Sequence, residues 1–180
     1  MRGQLEWVSH EQCEKKTMGE WVFIVLVGAA VIHIFEEYIY PGGFQDALGK
    51  AIPRMALPYL TPKFHLAMNG LFLLLCFASL LIGKSNLVLS MSVISLVFIN
   101  AVLHIRGAIL TKKYYPGVIS GALIYIPLAV YAYFVFLSSA QLSWIQAGLS
   151  FLMGVVLMGI PIIYVLIRRV GKAIQQRLKE

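Results

Sequence analysis

Hydrophobic residues group into five long runs along the chain, and short polar or turn-forming segments separate them. About 20 apolar residues in a row are enough for an α-helix to cross roughly 30 Å of hydrocarbon. Backbone groups within lipid must hydrogen-bond internally, which favours helices over irregular structure. We therefore predict an all-α bundle of five membrane-spanning helices, at about residues 21–40, 63–82, 86–110, 116–137 and 143–167.

Turn-forming residues mark the ends of these runs. PGG follows the first run at 41–43, GKSN divides the second from the third at 83–86, and YYPG precedes the fourth at 114–117. The loop before the second run contains FQDALGKAIPRM, whose amphipathic character predicts a segment at the membrane interface. The predicted domains are a polar leader at 1–20, a five-helix membrane domain at 21–168 and a basic cytoplasmic tail at 169–180.

Composition agrees with this pattern. Of the 180 residues, 59% are hydrophobic and 13% are charged, whereas soluble domains are about 25% charged. We therefore expect a multi-pass protein of the cell membrane. The two cysteines, Cys13 and Cys76, are too few for a disulfide framework.

The net charge of +7 also fits a membrane protein, because the cations lie in loops and in the tail. This placement argues against a nucleic-acid partner. The C-terminal segment RRVGKAIQQRLK alone carries five cations. Since cytoplasmic segments are enriched in lysine and arginine, we predict that the N-terminus is outside and the C-terminus inside. The loops predicted to share the cytoplasmic side with this tail contain Lys50, Arg54, Lys63, Lys112 and Lys113.

Polar and ionisable residues recur at one depth in the first three predicted spans. In this topology all of them lie near the cytoplasmic ends. A charge in the bilayer core costs at least about 2.5–3.5 kcal/mol on insertion scales. Ionisable residues in three separate spans therefore favour one shared site in which these groups stabilise one another. Residues three or four apart share a helix face, which is the spacing within each group: His33, Glu36 and Glu37; His65 and Asn69; Asn100 and His104.

These residue types suit metal-assisted chemistry. Imidazole and carboxylate groups bind zinc and iron, so we predict a divalent metal site made from His33, Glu36, Glu37, His65 and His104. One glutamate would then act as a general base toward a metal-bound water. A metal-free network of carboxylates paired with histidines stays open as the alternative.

Three further residues are predicted to take part in catalysis together with Glu36 and Glu37. Asn69 and Asn100 carry side-chain amides that would stabilise a developing oxyanion. Tyr114 would donate a proton.

Three short motifs resemble those of the HXXEE-domain integral membrane proteins. They are HIFEE at 33–37, NAVLH at 100–104, which matches an N-x-x-x-H pattern, and YYPG at 114–117, which matches a Y-x-P-G pattern. The resemblance covers roughly residues 20–170 and implies a membrane enzyme.

The leading functional prediction is a metal-dependent hydrolase that acts on a lipid-like or hydrophobic substrate from the cytoplasmic leaflet, with membrane lipid as its partner. The alternatives are an iron-dependent oxidoreductase, a metal-free acid–base enzyme (an isomerase or a glutamate-type intramembrane protease) and a proton-coupled transporter. Pro41 stands where such proteases carry an arginine. The ionisable residues stop near one membrane face, which argues against transport. Assembly into a homo-oligomer stays open.

Overall fold

The computed structural model describes residues 19–52 and 56–177. These residues form helices joined by short turns and contain no strand, which confirms the all-α prediction for this part of the chain. Residues 1–18 of the predicted leader, Arg54 in the long loop and the last three residues of the tail lie outside the described residues. The helices are α1 (Trp21–Tyr38), α2 (Phe44–Ala51), α3 (Pro62–Ile82), α4 (Leu87–Thr111), α5 (Val118–Ser138) and α6 (Trp144–Arg177).

Most helix ends lie within a few residues of the predicted ends. The main difference is α6, which continues to Arg177, so the basic tail begins as helix rather than as a separate segment. Arginine, lysine, alanine and glutamine are strong helix formers, so the helix does not stop where the apolar run stops. The amphipathic segment after α1 forms the short helix α2.

Four helical stretches in the described part of the chain are long and apolar enough to cross a membrane. They are Trp21–Tyr38, Pro62–Thr111, Val118–Ser138 and Trp144–Lys172. The second stretch comprises α3, a 3₁₀ turn at Gly83–Asn86 and α4. This architecture is that of a multi-helix membrane protein.

Helix α4 lies at the centre of the bundle and contacts α2, α3, α5 and α6. All eight residues from 90 to 97 are buried. The Ser95 hydroxyl lies 2.6 Å from the Tyr133 hydroxyl of α5, which lies 2.8 Å from the Ser150 hydroxyl of α6. These hydrogen bonds connect three helices and satisfy the hydroxyl groups of Ser95 and Ser150, which are fully buried.

Helix α6 approaches α4 closely at Gly154. A Cβ atom on Gly154 would lie 2.4 Å from the Ser95 Cβ and 2.9 Å from the backbone nitrogen of Leu96. Small residues allow this kind of backbone contact between membrane helices, where van der Waals packing drives association.

Gly154→Ala should therefore lower the stability of the bundle, by about 1–3 kcal/mol if the cost is that of ordinary overpacking. Gly148→Ala, on the same helix, is the matched control, because a Cβ there would have no neighbouring atom within 4 Å. The measurement is the thermal unfolding midpoint of each purified variant in detergent micelles. Equal midpoints for the two variants would contradict the close contact.

Candidate metal centre

The centre of the site is the carboxylate of Glu37 at the end of α1. Its Oε1 lies 3.1 Å from Nε2 of His104 and 3.5 Å from Nε2 of His33. All three residues are buried. The two imidazole rings meet edge to face with their centroids 4.8 Å apart. Helices α1 and α4 thus bring together three of the five predicted ligands.

The hydrogen bond at the far side of His104 determines what the near side presents to Glu37. Nδ1 of His104 lies 2.6 Å from the carbonyl oxygen of Pro116. A carbonyl oxygen only accepts, so Nδ1 carries the proton. In the neutral imidazole Nε2 is then an acceptor, and it faces an acceptor oxygen of Glu37.

Glu36 turns away from Glu37 and toward the start of α5. It accepts hydrogen bonds from the Tyr114 hydroxyl at 2.7 Å and from the backbone N–H groups of Ile119 and Ser120 at 3.0 and 2.7 Å. The Ser120 hydroxyl also donates to it. Because every partner is a donor, Glu36 is bound as an ionised carboxylate.

Ser120 connects Glu36 to His33 through its hydroxyl group. Its hydroxyl oxygen lies 2.8 Å from Nδ1 of His33. Since the Ser120 proton is directed at Glu36, the oxygen accepts from His33, and Nδ1 carries the proton. In the neutral imidazole Nε2 of His33 then offers a lone pair toward Glu37, and this buried nitrogen has no hydrogen-bond partner.

Two carboxylates lie beside two imidazoles, and no lysine or arginine of the described chain forms an ion pair with either carboxylate. With both imidazoles neutral, the site has an excess of negative charge. Buried charge of this kind requires compensation. Either two protons or one divalent cation would supply it.

These three residues could hold a metal ion. Ligand atoms of His33, Glu37 and His104 all lie within 4.8 Å of one another. With bonds of about 2.0–2.1 Å, two ligands of a tetrahedral zinc ion are roughly 3.3 Å apart, close to the two carboxylate–nitrogen distances of 3.1 and 3.5 Å. Two histidines and one glutamate are also a donor set that catalytic zinc sites use.

His65, predicted as a ligand, lies outside this group of three. Its Nδ1 is 2.6 Å from the side-chain amide of Gln45 and 3.1 Å from the carbonyl oxygen of Thr61. The ring of Phe44 packs against both His65 and His104, with centroids 5.5 Å from each. Helix α2 therefore covers this side of the site, and a ligand role for His65 stays a prediction.

The two predicted asparagines differ in their surroundings. Asn69 donates a hydrogen bond to Oε2 of Glu37 at 3.3 Å, which places it directly at the site. The side-chain oxygen of Asn100 is buried and has no hydrogen-bond partner. An oxyanion-stabilising role for either residue stays a prediction.

Tyrosines in the loop before α5 remain protonated. Burial and the hydrogen-bonded Glu36 carboxylate raise the pKa of Tyr114 well above its usual value. Burial, with the negative charge of Glu37 nearby, raises the pKa of Tyr115 to about 12. Tyr114 therefore acts as a hydrogen-bond donor to Glu36 at neutral pH.

Gly117 explains why the loop can approach the histidines. Its φ is +89°, and a Cβ there would lie 2.5 Å from Nδ1 of His104 and 2.8 Å from Cε1 of His33. In the Y-x-P-G motif, the Pro116 carbonyl thus accepts a hydrogen bond from His104. The next residue, Gly117, has no side chain that would collide with the two imidazole rings.

Ser120 and Tyr125 are site residues that the sequence analysis missed. Ser120 directly precedes the π-helical segment Gly121–Tyr125, and Tyr125 is its last residue. The N–H of Ile126 bonds to the carbonyl of Gly121. Pro127 follows and has no N–H to continue a regular ladder. Residues five apart on an α-helix differ by about 140°, whereas the wider π turn lets both residues face His33, with the Tyr125 ring 4.6 Å away. Pro127 within the fourth run was the available signal.

The fold and the site define a multi-helix membrane protein with a buried histidine–glutamate–histidine group. A model of the family described as proteins of unknown function with an HXXEE motif matches residues 21–132. The chain belongs to this family, which confirms the resemblance. The matched range contains every site residue described above, whereas α6 lies beyond it. Curated proteins and solved structures give no match.

We expect Gly117→Ala to disturb the site more than its backbone conformation alone would explain. Gly43→Ala is the matched control, because Gly43 has a similar φ of +84° but nothing within 4 Å of an added Cβ. Both variants should incur left-handed strain of about 1–2 kcal/mol, and Gly117→Ala should add about 1–3 kcal/mol of overpacking. Thermal unfolding midpoints would measure the difference, and equal losses would contradict the proposed contact.

Proposed function

We propose that this chain is a membrane enzyme in which His33, Glu37 and His104 hold one divalent metal ion, zinc or iron, and that it hydrolyses a lipid-like or hydrophobic substrate. The observation that carries this proposal is Nε2 of His33. It is buried, has no hydrogen-bond partner and faces the same carboxylate as Nε2 of His104. A metal ion would satisfy both nitrogens and the carboxylate at once.

The surrounding residues support a metal site because each ligand is oriented by a second hydrogen bond. Ligating histidines usually donate their other ring N–H to a carbonyl or a carboxylate. His104 donates to the Pro116 carbonyl, and His33 donates to Ser120, which donates to Glu36. Such partners fix the ring tautomers before a metal binds.

The chemistry assigned to the site is the activation of water. A zinc ion held by His33, Glu37 and His104 would supply this chemistry, because zinc lowers the pKa of water to about 7. Glu36 already accepts four hydrogen bonds, so we assign it to orienting His33 through Ser120. Asn69 would hold Glu37 in place through its hydrogen bond to Oε2.

We also propose that the chain crosses the cell membrane five times, with its N-terminus outside. The stretch Pro62–Thr111 has 50 residues and would be about 75 Å long as one straight helix, far more than roughly 30 Å of hydrocarbon. The backbone turns at Gly83, whose φ is +48°, and α3 and α4 pack against each other. This stretch would then cross twice, and the metal centre would lie near the cytoplasmic leaflet.

Cysteine labelling tests this topology. In a chain with Cys13 and Cys76 replaced, Ser85→Cys should react with a membrane-impermeant maleimide from outside intact cells. Ser85 lies in the turn Gly83–Asn86, which the five-span topology places on the outer face of the membrane. Gln175→Cys, exposed on α6, should react only after permeabilisation. An unreactive Ser85→Cys, or labelling of Gln175→Cys from outside, would contradict the five-span arrangement.

Metal analysis tests the proposed site. Purified wild-type protein should carry about one zinc or iron ion per chain by inductively coupled plasma mass spectrometry. His33→Ala, Glu37→Gln and His104→Ala should each lose it, since three ligands are the minimum for a catalytic site of this kind. Circular dichroism and gel filtration would establish that each variant is folded.

His65→Ala serves as the control, because His65 lies outside the group of three and its loss should leave the metal bound. If His65→Ala also loses the metal, the larger predicted ligand set is correct. If folded wild-type protein binds neither zinc nor iron, the metal proposal is wrong, and acid–base chemistry by the same histidines and carboxylates takes its place.

A further inference from the structure

An open cleft lies between α2 and the segment that joins α4 to α5. Two of its lining residues also belong to the candidate metal centre: the Tyr114 hydroxyl bonds to Glu36, and the Pro116 carbonyl bonds to His104. The cleft therefore adjoins the centre through a single layer of residues. Its described lining comprises Gly42, Gly43, Asp46, Ala47, Lys50, Thr111, Lys113, Tyr114 and Pro116.

Two lysines face this cleft from opposite sides. Lys50 comes from α2 and Lys113 from the α4–α5 segment, and both are exposed. Within the described chain neither forms an ion pair with an acidic residue. Asp46 is the one acidic residue among the described lining residues, so cations outnumber anions in the cleft.

The size of the cleft limits what can bind. Its volume is about 190 Å³, below the roughly 300–1,000 Å³ typical of pockets that enclose a drug-sized ligand. Gly42 and Gly43 leave part of the lining without side chains. A small charged group fits, whereas a complete lipid does not.

We propose that this cleft binds a phosphate group, carried either by a lipid head group or by free phosphate, and so selects phosphate-bearing substrates for the adjoining centre. This inference rests on the proposed function for its role in substrate choice. Lysine ammonium groups bind phosphate as point charges. The cleft places two of them beside the residues that contact Glu36 and His104.

The chain offers a matched control for the charge itself. Lys112 directly precedes Lys113 and is exposed, yet it does not line the cleft. Lys63, the second residue of α3, is also exposed and lies on the same predicted membrane face. Replacing Lys63 and Lys112 removes as much positive charge as replacing Lys50 and Lys113. Only the second pair removes charge from the cleft.

The experiment titrates the purified full-length protein in detergent micelles by calorimetry, with short-chain phosphatidic acid, short-chain phosphatidylcholine and inorganic phosphate as separate probes. Phosphatidic acid should bind more tightly than zwitterionic phosphatidylcholine. The double variant Lys50→Gln/Lys113→Gln should weaken its binding about tenfold or more, a loss of roughly 1.4 kcal/mol per tenfold. Lys63→Gln/Lys112→Gln should change it less than about twofold, as screened surface charges do.

Asp46→Asn provides an opposite change at the same place. It removes a negative charge from the cleft and should tighten phosphatidic acid binding several-fold. Inorganic phosphate distinguishes the two sources of the group. If it competes with phosphatidic acid at similar concentration, the phosphate alone is recognised, and if it competes only at far higher concentration, the lipid is the ligand.

Three results would overturn the inference: equal weakening by both double variants, unchanged binding in Lys50→Gln/Lys113→Gln, or phosphatidylcholine binding as tight as that of phosphatidic acid. Metal content of the same preparations separates this inference from the proposed function. If metal-free wild-type protein binds phosphate in a way that depends on Lys50 and Lys113, the phosphate-binding cleft is supported and the metal-dependent hydrolase is contradicted. If the protein carries metal but shows no selectivity for phosphate, the cleft inference is contradicted and the metal site is supported.

Discussion

The structure depends on the contact between the Glu37 carboxylate and the Nε2 atoms of His33 and His104. Both Nδ1 protons are already donated, one to the Pro116 carbonyl and one to Ser120. The two Nε2 atoms therefore face the same buried carboxylate oxygen. Positive charge among the three residues, from protons or from a bound cation, would stabilise this arrangement.

The parts of the fold that hold this contact are mostly uncharged. A carbonyl from the Y-x-P-G loop fixes one histidine, a serine hydroxyl fixes the other, and an asparagine amide fixes the carboxylate. Glu36 is the one charged member of this outer layer, and two backbone N–H groups, a tyrosine and a serine solvate it. The layer thus orients His33, Glu37 and His104 without placing a lysine or arginine beside them.

The helices could be predicted from the length of the apolar runs. Several residues that lie together at the site could be predicted from the helical periodicity of the polar residues. Spacing of four residues placed His33 and Glu37 on one face of α1, and hydropathy located the ends of most spans. Spacing did not distinguish Glu36 from Glu37. Adjacent residues point about 100° apart on a helix, and Glu36 bonds to the start of α5 whereas Glu37 lies beside His104 of α4. The hydrogen bond from Gln45 to His65 depends on how α2 docks, which periodicity does not encode.

The π-helical segment of α5 gives the membrane domain a sensitivity that hydropathy does not reveal. The same residues wound as a regular α-helix would keep their apolar character and would cross the bilayer as before. Tyr125 would, however, point about 140° away from Ser120. Insertion into the membrane would tolerate that change, whereas the two residues could no longer both face His33.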